Sequence, residues 1–378
     1  MPKSARQLAA IRETGGKIVR TPGRMRQTHQ NRWVVRSQTC GTLLYAVVLG
    51  IKGLVCDCAQ CQMGRGLCKH VVAVDMWLSE RWASLHGRAR TAVRRPTVRC
   101  PAHPSHRLVR DGHRYTKRKG NVQRYLCADC GRRCSGLPGM RRRHASSATI
   151  ADAISLLSKG MSLACAAGEI SRHGHTFHRS TIYRWAARYG PMMEGYAGKI
   201  RPWTGYRWHC DEVYFRILGN GAYLFTVMDY STRFVLSYMV SPVKMGADPL
   251  EMFSEAARRA GTVPWVLVTD GLDAFPGAAR KAFWRRAGRR LVHAVEVHMR
   301  NEFNHNNVHE SLNGELRPLI RKRGGYKVAN PAMVGLVVLG YDFFRPHTAL
   351  NGRTPAEAAG IYIEGRDKVL TLLEAAAA

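Results

Sequence analysis

The sequence predicts a multidomain α+β chain, with small cysteine-rich modules and a helical segment in front and an α/β domain on a mixed sheet behind. Three observations carry this. The 378 residues suffice for two or three domains, and a composition 45% hydrophobic and 22% charged supplies cores rather than disorder. Ten of the eleven cysteines precede residue 166, and only Cys210 follows. Residues 208–300 alternate strand-like runs (WHCDEVYFRI, AYLFTVMDY, FVLSYMVS, WVLVTD) with helix-like runs (DPLEMFSEAARRA, GAARKAFWRRAG). Three adjacent strands, then helix, strand and helix, fit a mixed sheet with helices packed on it.

Charge points to the partner. Lys and Arg number 59 against 26 Asp and Glu, a formal net charge of +33. Residues 1–200 hold 36 basic and 9 acidic side chains, a net of +27, whereas residues 201–378 hold 23 and 17, a net of +6. Such a field suits a polyanion, not a small anion. No run of 18 apolar residues is present, and the basic start MPKSARQLAAIRETGGKIVR lacks an apolar stretch. The expectation is no membrane partner and a cytoplasmic, nucleoid-associated protein, with cysteines as metal ligands rather than disulfides.

In chain order, residues 1–30 read as a basic flexible arm. Residues 31–86 form the first module: strand-like WVVRSQT, TLLYAVVLG and GLVC lead into CDCAQCQMGRGLCKH, and a helix follows over 71–86. Cys56 and Cys58 form C-x-C, and Cys68 and His70 form C-x-H nine residues on. Three thiolates and one imidazole can close a tetrahedral zinc site and staple a ββα unit too small to hold itself together. Cys61 is an alternative ligand through Cys58-x2-Cys61. The pattern resembles the SWIM zinc finger. Residues 87–99 are a basic linker.

Residues 100–145 form the second module. Cys100-Pro-Ala-His103 and Cys127-Ala-Asp-Cys130 flank 23 residues with turn glycines, which reads as a zinc ribbon held by Cys100, His103, Cys127 and Cys130. His106 is an alternative to His103. Lys117, Arg118 and Lys119 on the insert are candidate phosphate contacts. Residues 146–195 carry three short apolar stripes, a helix-turn-helix whose last helix offers Arg179, Thr181, Tyr183 and Arg184 to a DNA groove.

The chemistry is predicted in the segment 200–363. Asp211 lies inside a strand-like run, Asp270 closes another, and Glu310 begins a helix-like run after NEFNHNN. Carboxylates at buried strands need cationic compensation, which two Mg2+ or Mn2+ ions supply. Two-metal sites clamp both oxygens of an in-line phosphoryl displacement. Glu212 falls on the opposite sheet face by alternation, and Glu315 sits off the face of Glu310. Residues 364–378 are a helical tail whose Ala375–Ala378 end reads as frayed.

The stretch from about Trp208 to Ile361 resembles the DDE transposases of bacterial and archaeal insertion sequences, nearest the insertion-sequence-six family. The resemblance lies in Asp211-Glu212, Thr269-Asp270, Asn306-Asn307-Val308-His309-Glu310, Arg317 seven positions on, and the tail YDFFRPHTALNGRTPAEAAG. It implies an RNase H-like core with Asp211, Asp270 and Glu310 as catalytic metal ligands and Arg317 near phosphate. It also implies cleavage of element ends, 3′-OH strand transfer into target DNA, and a homodimer or higher oligomer. The 39 residues between Asp270 and Glu310 exceed the usual spacing and suggest an insertion around 286–300. Two rivals are a transposase-derived DNA-binding regulator without catalysis and a zinc-dependent interaction protein.

Overall fold

A computed structural model describes residues 5–295, 312–316 and 332–378, apart from positions 41, 51–52, 63–66, 104, 117–119, 136, 138–139, 141–144, 173, 175, 218, 245–247, 270 and 288–290. The chain begins with α1 (Ala5–Arg20), β1 (Met25–His29), β2 (Arg32–Arg36), β3 (Leu44–Gly50), β4 (Gly53–Cys56), α2 (Ala59–Gln62) and α3 (Lys69–His86). Next come β5 (Thr91–Val93), β6 (Leu108–Thr116), β7 (Gly120–Cys127), β8 (Arg133–Cys134), α4 (Ser147–Ser158), α5 (Leu163–Ser171) and α6 (Arg179–Ala197). The back half holds β9 (Arg207–Ile217), β10 (Asn220–Asp229), β11 (Val235–Ser241), α7 (Leu250–Ala260), β12 (Val266–Thr269), α8 (Ala274–Ala287) and β13 (Val292–Val295). After these come the helix Ala332–Leu339, β14 (Ile361–Ile363) and the helix Lys368–Ala376. Among the described residues no helix is long and apolar enough to cross a membrane.

The chain divides into two compact units. The first comprises residues 1–89, 203–214 and 222–314. Within it β1 to β4 form an antiparallel meander, with Val47 opposite Cys56, so the last strand delivers the first cysteine pair. A five-stranded mixed sheet has the order β11-β10-β9-β12-β13, with β10–β11 antiparallel and both β9–β12 and β12–β13 parallel. Val266, Leu267 and Val268 are fully buried, as expected of a parallel strand covered on both faces. Helix α7 turns Met252, Phe253 and Ala256 inward and ends at Gly261 in the left-handed conformation (φ 65°), which glycine adopts without steric penalty.

One core joins the meander, α3 and this sheet. Trp33, Val47, Val71, Val74 and Trp82 cluster with Val266, Val268, Val292 and Ala294. The indole N–H of Trp82 donates to the Thr204 carbonyl at 2.7 Å. Asp75 of α3 accepts from the Tyr206 hydroxyl and lies 3.7 Å from the guanidinium of Arg207, a buried cation at the start of β9.

The second unit comprises residues 90–202, 215–221 and 315–378. Strands β6, β7 and β8 form a small antiparallel sheet. Helices α4, α5 and α6 start on side-chain caps from Ser146, Ser162 and His178 and bury Ile150, Ile154, Leu157, Ala166, Ile170, Ile182 and Ala186. The helix Lys368–Ala376 packs on α4 and α6.

Four expectations are corrected. Residues 5–20 form a helix rather than a flexible arm, because α1 has an apolar face that buries Ile18 against α3. Residues 292–295 of the suspected insertion are the fifth strand of the mixed sheet. The basic linker contributes β5, which pairs in parallel with β14. The C-terminal alanines are not frayed, since Ala375 and Ala377 are buried.

Candidate functional site

Asp211 sits on β9, the central strand, between β10 and β12. Its Oδ1 accepts the backbone N–H of Glu212 at 2.8 Å, and its Oδ2 accepts Nδ2 of Asn313 at 2.9 Å. Asn313 belongs to a helical segment over 312–316, is only 6% exposed, and leaves its Oδ1 buried without a partner among the described residues. The neighbouring Glu212 is committed elsewhere, in an ion pair with Lys244. On the parallel pair β9–β12, Val268 faces His209, each two residues before an acid in sequence. Asp270, Glu310 and Arg317 lie outside the described residues, as do Lys117, Arg118 and Lys119. Glu315 is held by Arg345 and His347, both at 3.5 Å, in keeping with a structural acid.

Two further titratable side chains, Asp229 and His293, are held by hydrogen bonds in the same sheet. Asp229 ends β10 and accepts from the Gly205 N–H at 2.7 Å and from the Thr232 N–H and hydroxyl, each at 2.8 Å. Burial nonetheless raises its carboxyl to about 6, against the pull of those hydrogen bonds. Thr269, the last described residue of β12, meets Nε2 of His293 at 2.9 Å, and burial lowers the pKa of that imidazole.

The first cysteine group gathers Cys56, Cys58, Cys61 and Cys68, with sulfurs within 4.8 Å of one another. His70, expected as the fourth ligand, places Nδ1 3.6 Å from the Cys56 sulfur and 3.9 Å from that of Cys68. Five donors are thus present instead of four. The turn of α2 is the cause: the Cys61 N–H bonds the Cys58 carbonyl at 2.9 Å and curls that side chain back. Contacts with Cys56 and Cys68 draw the Cys61 thiol down to about 2, while the contact with Cys61, then that with Cys68 and burial push Cys56 up. Burial, then the neighbouring Lys69, lowers the His70 imidazole to about 4, so it is neutral and able to act as a ligand at neutral pH.

The second group gathers Cys100, His106, Cys127 and Cys130. His103 is not among them; its Nδ1 faces the Ser105 hydroxyl at 2.7 Å. Of the two candidate histidines, the structure gathers His106, the alternative to His103, with the three cysteine sulfurs. Burial opposes ionisation of Cys100, but the N–H groups of Ala102 and His103 and contacts from His106 and Cys130 lower its thiol to about 6.

On the helical segment, Arg179 and Arg184 are exposed on α6. Arg184 reaches the Ser180 carbonyl at 3.3 Å and the Thr181 hydroxyl at 3.2 Å, which pre-orders the guanidinium along the helix. Sequence reasoning missed Asn313 and Lys244. Only the spacing of Asn313, three positions after Glu310, hinted at a shared helical face.

Comparison with known proteins finds similarity over part of the chain. Two curated Staphylococcus aureus transposases align over short stretches. That of insertion sequence-like element IS431mec (strain Mu50) is 33% identical over 60 residues, 16% of this chain and 27% of its own length. That of insertion sequence element IS257 in transposon Tn4003 is 36% identical over 56 residues, 15% and 25% respectively. This chain thus spans about a quarter of the length of these relatives. Among solved structures, the HTLV-2 integrase catalytic core domain in complex with magnesium aligns at 15% identity and a TM-score of 0.32, over 42% of this chain and 99% of that one. The BIV integrase catalytic core domain aligns at 13% and 0.28, over 41% and 93%. The family model for the DDE domain of IS240-type transposases matches residues 205–347, a span that includes Asp211, Asp270, Glu310 and Arg317. Residues 205–347 are thus similar to the DDE domain of IS240-type transposases.

Proposed function

We propose that this protein is an insertion-sequence transposase that cuts DNA at the ends of its element and joins the freed 3′-OH to target DNA. The observation that carries the reading is the DDE domain match over residues 205–347, with Asp211 on the central strand of a mixed sheet. The strand order β11-β10-β9-β12-β13 supports an RNase H-like core, nearest the insertion-sequence-six type. Asp211, Asp270 and Glu310 are the catalytic carboxylates and would hold two Mg2+ or Mn2+ ions. The donor chemistry fits: Asp211 offers carboxylate oxygen, and Oδ1 of Asn313, without a partner among the described residues, adds a neutral oxygen beside it. Bound ions supply Lewis-acid stabilisation of charge on the phosphate oxygens.

The protein's own residues bind and orient. Asn313 fixes the Asp211 carboxylate, Lys244 keeps Glu212 out of the site, and Arg317 contacts phosphate. The cysteine groups hold one structural zinc each, in a SWIM-like finger and a zinc ribbon; sulfur and imidazole donors suit that ion. Helices α4 to α6 act as a helix-turn-helix, with Arg179 and Arg184 on DNA and Lys117, Arg118 and Lys119 of the ribbon on its backbone. The net charge of +33 supports a DNA partner, and synapsis of two ends calls for a homodimer or larger assembly in the cytoplasm.

The test is cleavage and strand transfer on labelled element ends. Asp211→Asn, Asp270→Asn and Glu310→Gln should each abolish both steps while DNA binding persists, whereas Glu212→Gln and Glu315→Gln should retain much more activity. Near-normal cleavage by any of the first three would remove that residue from the site.

A further inference from the structure

We infer that Asn313 is a positioning residue of the divalent-cation site, holding Asp211 with its amide nitrogen and presenting its amide oxygen to the cation or to a water on it. The inference rests on Asp211 being a catalytic carboxylate.

The hydrogen bond fixes the orientation of the amide. An ionised carboxylate only accepts, so the face of Asn313 turned to Asp211 at 2.9 Å must be the NH2 group. The carbonyl oxygen is then the atom turned away. That oxygen is buried, and among the described residues nothing donates to it. An asparagine kept only to brace a helix would usually turn its oxygen to a backbone N–H, because a buried acceptor left unmade is unfavourable. Here the amide divides its two ends between an acidic ligand and an unmet need for a donor or cation. Hard cations and their waters meet that need.

The surroundings favour the same assignment. Glu212, next to Asp211, is neutralised by Lys244, and Glu315, two residues after Asn313, is paired with Arg345 and His347. Both nearby acids are thus engaged by cationic partners, and Asn313 gives Asp211 a neutral amide donor. A neutral donor orients a carboxylate without competing for it as a lysine or arginine would. Residues that orient a ligand in this way typically change metal affinity 10–100-fold when removed.

The test measures Mn2+ binding to the full-length protein without DNA, by loss of the free-ion electron paramagnetic resonance signal. Cleavage against metal concentration runs in parallel. Asn313→Leu keeps the volume and removes both polar ends; its Mn2+ midpoint should rise about tenfold. Its cleavage should need correspondingly more metal, with KM for DNA unchanged. Asn313→Asp restores an oxygen and should bind Mn2+ more tightly than Asn313→Leu. An Asn313→Leu protein with the wild-type Mn2+ midpoint would overturn the proposal. If that variant melts at a lower temperature, Asn313→Asp decides: binding no tighter than in the leucine variant also overturns it. Asp211→Asn serves as reference. If it binds Mn2+ and cleaves like wild type, the catalytic reading of Asp211 fails, and this proposal with it. If it loses both while Asn313→Leu loses neither, only the role of Asn313 is refuted.

Discussion

Trp82→Ala tests whether the cysteine-rich module and the five-stranded sheet fold as one body. Trp82 is 1% exposed, its indole N–H donates to the Thr204 carbonyl at 2.7 Å, its ring stacks on His86 at 3.8 Å, and Trp265 meets it edge-on at 5.0 Å. Truncating a buried tryptophan to alanine costs about 3–5 kcal/mol, of which the lost hydrogen bond accounts for about 1. Set against a domain stability of about 5–15 kcal/mol, that is a large fraction. Trp82→Phe keeps most of the apolar contact but leaves the Thr204 carbonyl unpaired, and should cost about 1–3 kcal/mol. Amide hydrogen exchange in increasing urea reads both regions in one experiment. The β2–β3 and β10–β11 amides should lose protection together in wild type, and both midpoints should fall together in Trp82→Ala. A fall at β2–β3 with β10–β11 unmoved would refute the shared core, as would a total loss under about 1 kcal/mol.

Three other outcomes follow from the same geometry. His106→Ala should release zinc from the second module, whereas His103→Ala should retain it; equal zinc content in the two variants, read by atomic emission, would undo the ligand assignment. Asp229 holds its proton more tightly folded than unfolded, so its contribution to stability is complete below pH 3.8 and is lost as pH rises through about 6. The loss is about 3 kcal/mol for that single group, and Asp229→Asn should flatten the slope of unfolding free energy across the window; an unchanged slope would exclude it as the source. Affinity for DNA should fall steeply with salt, because neutralising phosphates releases counterions; a filter-binding series with little salt dependence would exclude the polyanion reading of the net charge.

Much of the fold was legible in the sequence because its signals are local. The strand-like runs at 208–217, 222–230, 234–241 and 265–270 became β9 to β12, and the Gly160 turn separates α4 from α5 as the apolar stripes required. What escaped was set by distant contacts. The segment ARQLAAIRETGGKIVR looks like a polar arm until α3 offers its apolar face to Ile18. VHAV is too short to announce a strand, and becomes one only because β12 lies beside it. Spacing puts His103 first and His106 as its alternative, and only the folded chain brings His106 up to the three sulfurs. Asn313 is one polar residue among many in HESLNGEL; its meaning comes from Asp211, 102 positions away.

Arg207 shows why the net charge alone is an unreliable guide to individual residues. By sequence it is one more cation in a strongly basic chain. In the fold it is 2% exposed, its guanidinium lies 3.6 Å from the Tyr230 ring centre, and Asp75 of α3 accompanies it. A charge buried this deeply is tolerated only with such partners. The pairing ties α3 to the first residues of β9. The same helix carries His70 near its start, with Cys68 as its cap, and Trp82 near its end. A single rigid helix therefore spans from the thiol cluster to the base of the strand that bears Asp211, four residues beyond Arg207. On the zinc reading, metal at Cys56–Cys68 does more than staple a finger: it fixes the helix against which the strand bearing Asp211 begins. Loss of that ion should then loosen β9 without any zinc ligand touching Asp211.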